Sequence, residues 1–201
     1  MLPSWFAYVA TLLIVWGTIG YIRDVHRGRV TPNLVTWFLW SLAPLIALGA
    51  QLKAGVGPEA ALAAAAGLCP LTVFIAGLKQ GAFKPQPFDW WCGAMSLLAL
   101  TLWLISGNGV VGVGLSIVAD AFGAAPTLRK SWRNPTSESP SFFVLFVLSA
   151  ALTLMTVTQW TIVNAAFSIY ILVLYVVLFV LVQFRVGQLF KKSLTPLTDE
   201  A

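Results

Sequence analysis

The sequence predicts an all-α polytopic membrane protein: seven transmembrane helices, arranged as two parallel three-helix repeats plus a linker helix. Three observations lead there. The 201-residue chain is 59% hydrophobic and 9% charged, with a mean hydropathy of +0.86, whereas soluble domains carry about 25% charged residues. It holds seven apolar segments close to the roughly 20 residues that a bilayer core requires. Eleven of its twelve Lys and Arg fall in alternate loops between those segments.

The segments run over residues 3–22, 34–52, 58–78, 90–105, 110–128, 141–158 and 161–184. Each is read as a helix, because an open sheet would leave backbone groups unpaired in lipid. The first has no basic stretch before it and is a full span long, which fits a transmembrane helix better than a cleaved signal peptide. The fourth is the shortest, and its Trp90-Trp91 start suits the membrane interface. The last residues, KKSLTPLTDEA, are polar and are expected to fray.

The charges then fix an orientation. Arg23, Arg27 and Arg29 follow the first segment, Lys79 and Lys84 the third, Arg129, Lys130 and Arg133 the fifth, and Arg185, Lys191 and Lys192 the seventh. Only Lys53 lies on the other side. Basic residues mark the cytoplasmic side, so the N-terminus is expected outside and the C-terminus in the cytoplasm of a cell (inner) membrane. The net charge of +5 thus reports topology, not nucleic-acid binding.

Gly17, Arg23 and Arg27 recur as Gly123, Arg129 and Arg133, each offset by 106 residues. Both sets lie at loops leaving the same membrane side, so the repeats are parallel and the fourth segment restores orientation. The expected units are 1–78, a linker with the fourth helix at 79–108, 109–184, and a cytoplasmic tail at 185–201.

With this layout the chain resembles the PQ-loop superfamily, which includes the SWEET sugar transporters. Ala125-Pro126-Thr127, with Ser131-Trp132 downstream, stands where that family has Pro-Gln, and Gly20-Tyr21 occupies the corresponding place in the first half. The resemblance implies a transporter whose third-helix asparagines contact substrate, and Asn164 looks like that position in the second repeat.

Asp120 is the residue hardest to explain by packing alone. A carboxylate at membrane depth costs roughly 2.5–3.5 kcal/mol on insertion scales, so it must be hydrated, paired or protonated. Its repeat equivalent is Ile14. Gly112, Ser116, Asp120, Gly123 and Thr127 fall on one helical stripe, which serves either a cavity or close helix packing. Thr11 and Thr18 are candidate neighbours of Asp120. Asn164 and Ser168 share a face of the seventh segment, where an interhelical hydrogen bond is the alternative role. Trp16 sits deep enough to line a pocket. Pro44 and Pro70 interrupt the second and third segments and free a carbonyl each. With Gly123 and Pro126 they are candidate hinges.

Enzyme motifs are absent: there is no HExxH, Gly-x-Ser-x-Gly or CxxC. His26 stands apart from other metal ligands, and Cys69 and Cys92 read as packed free thiols, so neither metal nor cofactor is expected. Two function classes remain. One is a carrier of a small polar solute, sugar-like or another metabolite, with vitamins and nucleosides as further cargo. The other is a receptor or assembly protein of the same fold. The partners on the first reading are the lipid bilayer and a small-molecule solute. A proton is the candidate coupling ion and a homo-oligomer the candidate assembly.

Overall fold

Long apolar runs with no water to bond their peptide groups satisfy those groups within the segment, and helices result. The computed structural model describes residues 2–3, 5–53 and 60–193, with no strand among them. Seven long helices follow one another: α1 (Phe6–His26), α2 (Leu34–Lys53), α3 (Ala60–Lys79), α4 (Pro87–Ile105), α5 (Gly109–Arg133), α6 (Pro140–Met155) and α7 (Ile162–Gln183). A short α8 (Val186–Ser193) closes the described chain. The expected start of the third span at Pro58 and the polar end of the tail, 194–201, lie outside the described residues.

Four helices, α1, α4, α5 and α7, are long and apolar enough to cross a membrane. Shorter apolar stretches occupy Leu34–Gly49, Ala64–Lys79 and Pro140–Met155. Large apolar side chains face outward all round, among them Leu12, Trp16, Ile105 and Val173. An outer surface of this kind belongs in lipid rather than water.

Local chemistry sets the helix ends. Gly28 takes φ +66° after α1 and its N–H returns to the Val25 carbonyl at 2.9 Å, a left-handed stop that glycine adopts without strain. Pro87 opens α4 at a position where its missing N–H is no loss, and the Asp89 carboxylate accepts the Gln86 N–H at 2.8 Å. These signals start α4 three residues before the expected span, so α6, with 16 residues, is the shortest of the seven instead. The α5 helix runs on through Arg133, past its expected end at residue 128. Lys130 and Arg133 thereby meet the negative end of its dipole, and the basic stretch is helix rather than loop.

The packing pairs are specific. The α3 helix lies against α1 and α2, and α7 lies against α5 and α6. Across these groups α1 packs on α6 and α2 on α5, while α4 sits against α2 and α5. Gly67 and Gly77 permit the α2–α3 approach: a Cβ on Gly77 would stand 2.4 Å from Leu34 Cδ2. Toward the end of the bundle that carries the basic loops, Tyr21, Trp37, Trp40, Phe142, Phe143, Phe146 and Tyr175 form one aromatic core. The Phe142 and Phe146 ring centres are 4.3 Å apart, those of Tyr21 and Trp37 4.9 Å. Such pairs contribute about 0.5–1.5 kcal/mol each beyond area burial. In lipid, where apolar contact alone gives little driving force, this close packing is what holds the helices together.

Candidate functional site

Small residues on α2 and α5 leave space where the helices pass, and α4 and α7 close its sides. The result is a cavity of about 690 Å³. The Asp120 carboxylate lines it, with Ser116 and Gly112 above on α5, Pro44 and Trp40 on α2, Trp103 on α4 and Phe167 on α7. The α4–α5 turn, Ser106 to Gly109, forms its mouth at the end away from the basic loops. Gly107 makes that turn tight with φ +59°, and Asn108 then caps α5 by accepting the Val110 and Val111 N–H groups at 3.0 and 3.1 Å. Asn108→Ala is expected to remove about 1 kcal/mol, lowering the melting temperature of the purified protein by roughly 2–4 °C.

Asp120 is half-buried, and the Tyr170 hydroxyl of α7 donates to its Oδ2 at 2.8 Å. The Trp40 indole lies close enough to act on the carboxylate, but its buried N–H closes no well-shaped hydrogen bond. No Lys, Arg or His lines the cavity among the described residues. Its hydroxyls donate to the backbone: Ser96 to Ala119 O at 2.6 Å, Ser116 to Val113 O at 2.8 Å and Ser106 to Trp103 O at 3.0 Å. Pro44 offers no N–H to the Trp40 carbonyl one turn before it.

A second cavity, about 470 Å³, opens at the basic end, where the α1–α2 loop and the α3–α4 loop meet the C-terminal half of α5 and the first turns of α2 and α4. Pro126, Arg129 and Arg133 of α5 line it with Val35, Lys84 and Asp89. Arg129 stacks over the Phe88 ring at 4.6 Å. Between the two cavities α5 presses on its neighbours at Gly123, where a Cβ would stand 3.3 Å from Leu39 Cβ and 3.7 Å from Ser96 Oγ. Leu39 borders one cavity and Val35 the other, four residues or about 6 Å along α2.

Of the residues singled out from sequence, Gly112, Ser116, Asp120 and Pro44 meet at the first cavity, Pro126 lines the second and Gly123 stands between them. The others lie elsewhere. Trp16 is 74% exposed on the outer face of α1, because the inward stripe of that helix is Ala10, Gly17, Thr18, Tyr21 and Val25. Thr18 is buried and donates to its own helix at Ile14 O, as Thr11 does to Ala7 O, so neither is the partner of Asp120. Asn164 is exposed in the first turn of α7 and donates to the Gln159 carbonyl at 3.1 Å. Ser168 is half-buried outside the lining, and Pro70 is buried in α3.

Sequence reasoning passed over Tyr170. A signal existed: a carboxylate without a basic neighbour needs a far-reaching O–H donor, and only four tyrosines are present. It also passed over a polar knot at the basic end. There the buried Glu138 accepts the Tyr21 hydroxyl at 2.7 Å and pairs with the Lys130 ammonium, which also donates to the Thr31 carbonyl. The Thr31 N–H completes the knot on Ser137 O at 3.0 Å, tying the α1–α2 loop to the α5–α6 loop.

Comparison with protein-family models, curated proteins and solved structures returns no match.

Proposed function

We propose that this chain is a seven-span carrier or facilitator of a small polar solute, moving its cargo along the α2–α4–α5 interface. The observation that carries the reading is the pair of cavities along α5, one among α2, α4 and α5 and the other under the basic loops, opening at opposite ends and parted at the Gly123 contact. A scaffold or receptor core would be expected to fill that space, whereas alternating access needs it. The packing pattern supports the repeat layout: α1–α3–α2 and α5–α7–α6 are matched triplets, and α1–α6 and α2–α5 are matched cross-contacts. That pattern accords with the PQ-loop resemblance and with α4 as linker. The basic end, carrying Lys84, Arg129 and Arg133, is assigned to the cytoplasm by the distribution of positive charge. The cavity with Asp120 then faces outward, and the contact of Gly123 with Leu39 and Ser96 separates it from the inner one.

The test starts from solutes that raise the melting temperature of the purified protein, since a ligand stabilises the state it binds. Uptake of each such solute is then followed in proteoliposomes. Gly123→Val thickens the contact against Leu39 and is expected to keep binding while reducing flux roughly tenfold or more. Binding solutes that never cross with the unaltered protein would overturn carriage.

A further inference from the structure

We propose that the outward cavity takes a protonated amine with an apolar body, and not a sugar or an anion. The inference rests on the carrier reading for the site's location, but it concerns the chemistry of the occupant and is tested separately. The cavity's polar lining holds one carboxylate and, among the described residues, no cation, and toward a ligand its hydroxyls accept rather than donate. The Asp120 carboxylate has one protein hydrogen bond, from Tyr170, and the Trp40 carbonyl loses its helix donor at Pro44. Ser96, Ser106 and Ser116 each commit their proton to a backbone carbonyl and keep only lone pairs for a ligand. Asn108 spends its side-chain oxygen as a helix cap and stands at the exposed mouth. A sugar presents hydroxyls that seek donors as well as acceptors, and this wall meets them with the N–H groups of Trp40, Trp103 and Asn108 but with no spare hydroxyl proton from Ser96, Ser106 or Ser116. A carboxylate or phosphate would meet Asp120 with no cation among the lining residues.

An ammonium group satisfies the same wall. It carries two or three N–H donors for Asp120 and the open carbonyl, and it supplies the positive charge that the protein withholds. Charge-assisted hydrogen bonds of this kind are about twice as strong as neutral ones. The remainder of the lining is apolar and aromatic. Trp40, Trp103 and Phe167 come from three different helices, so aromatic side chains stand on several sides of the region where the cation and its apolar body would sit. Gly112 keeps Trp103 close, its absent Cβ lying 3.3 Å from the indole Cδ1. At about 690 Å³ the cavity is within the range that encloses a drug-sized organic molecule.

The experiment is a binding titration on the full chain in detergent at neutral pH with four probes. These are phenethylammonium, its N,N,N-trimethyl derivative, the uncharged 2-phenylethanol and the anionic 3-phenylpropionate; glucose serves as the sugar arm. Phenethylammonium is expected to bind roughly tenfold or more tightly than the alcohol, with the trimethyl cation between them and neither the anion nor glucose bound. Asp120→Asn is expected to erase the preference for the amine while leaving alcohol binding and the melting temperature in place. Tyr170→Phe keeps the carboxylate and is expected to retain the preference, which guards against a fold defect in the first variant. Equal binding of amine and alcohol, binding of glucose or the anion, or an amine preference that survives Asp120→Asn would overturn the proposal. Amine binding without flux in proteoliposomes would sustain it and overturn the carrier reading. Flux of a sugar without amine binding would do the reverse.

Discussion

Replacing Lys130 by methionine is expected to lower the melting temperature of the purified protein by about 5–10 °C. Glu138 is fully removed from solvent at its side chain, while Lys130 keeps 22% exposure. Removing the ammonium leaves a carboxylate inside the protein with the Tyr21 hydroxyl as its remaining donor. Breaking a buried pair from one side costs about 3–5 kcal/mol; the partial exposure of Lys130 brings that to roughly 2–3 kcal/mol. For a chain of this size each kcal/mol moves the midpoint by about 2–4 °C. Glu138→Gln keeps an acceptor for Tyr21 and removes the charge, so combining it with Lys130→Met is expected to restore part of the loss. A Lys130→Met variant that melts within about 2 °C of the parent would show that the knot contributes little. Differential scanning fluorimetry across the single and double variants makes the measurement.

The second large effect is expected at Gly187, in the first turn of α8. A Cβ there would lie 2.0 Å from the Trp132 carbonyl oxygen and 2.9 Å from its carbon. Both are backbone atoms inside α5, so no rotamer change relieves the overlap. Gly187→Ala is therefore expected to lift α8 off α5 and to separate the Trp132 and Phe190 rings, now 5.7 Å apart. The check is amide hydrogen exchange over residues 186–193, which is expected to speed up about tenfold or more while α1–α7 keep their protection. Unchanged exchange in this segment would mean that α8 is held by the membrane surface alone. Leu189 is 60% exposed, and Phe190 keeps an exposed part beside its contact with Trp132, as an interfacial helix requires.

The division between what was legible in the sequence and what was not follows the physics of each residue. Asp120 was legible because a carboxylate in an apolar run carries a cost that only a special environment offsets, and it lines the larger cavity. Pro44 was legible because proline always withdraws a helix donor. Trp16 was misplaced because a membrane helix is apolar on every face, so hydrophobic periodicity does not say which side turns inward. The stripe through Gly17 and Tyr21 does, but small residues mark it only weakly. Asn164 was read by analogy with the third helix of a repeat, yet in the first turn of α7 its amide is taken by the Gln159 carbonyl. Glu138 left no signal at all. It lies in a Ser- and Pro-rich loop where carboxylates are normally solvated, and only the fold brings Tyr21 and Lys130 to it. The helix α8 was hidden for a similar reason: its docking depends on one glycine meeting one carbonyl.

The join between α1 and α6 has a consequence for the order of assembly. Ser149 Oγ donates to Ala10 O at 2.9 Å across a separation of 139 residues, and the Leu2 N–H reaches Met155 O at 2.9 Å. At 5–20 residues per second, a ribosome takes roughly 7–28 s to make the chain between those partners. Through that interval α1 is already synthesised while its α6 face has nothing to pack on but lipid or the insertion machinery. Its other neighbour, α3, emerges much sooner and holds it in the meantime. The aromatic core, which draws Phe142, Phe143 and Phe146 from α6, must wait equally long. Truncated nascent chains that stop before α6 should therefore hold α1 and α3 together, with the side of Tyr21 that meets Phe142 still uncovered.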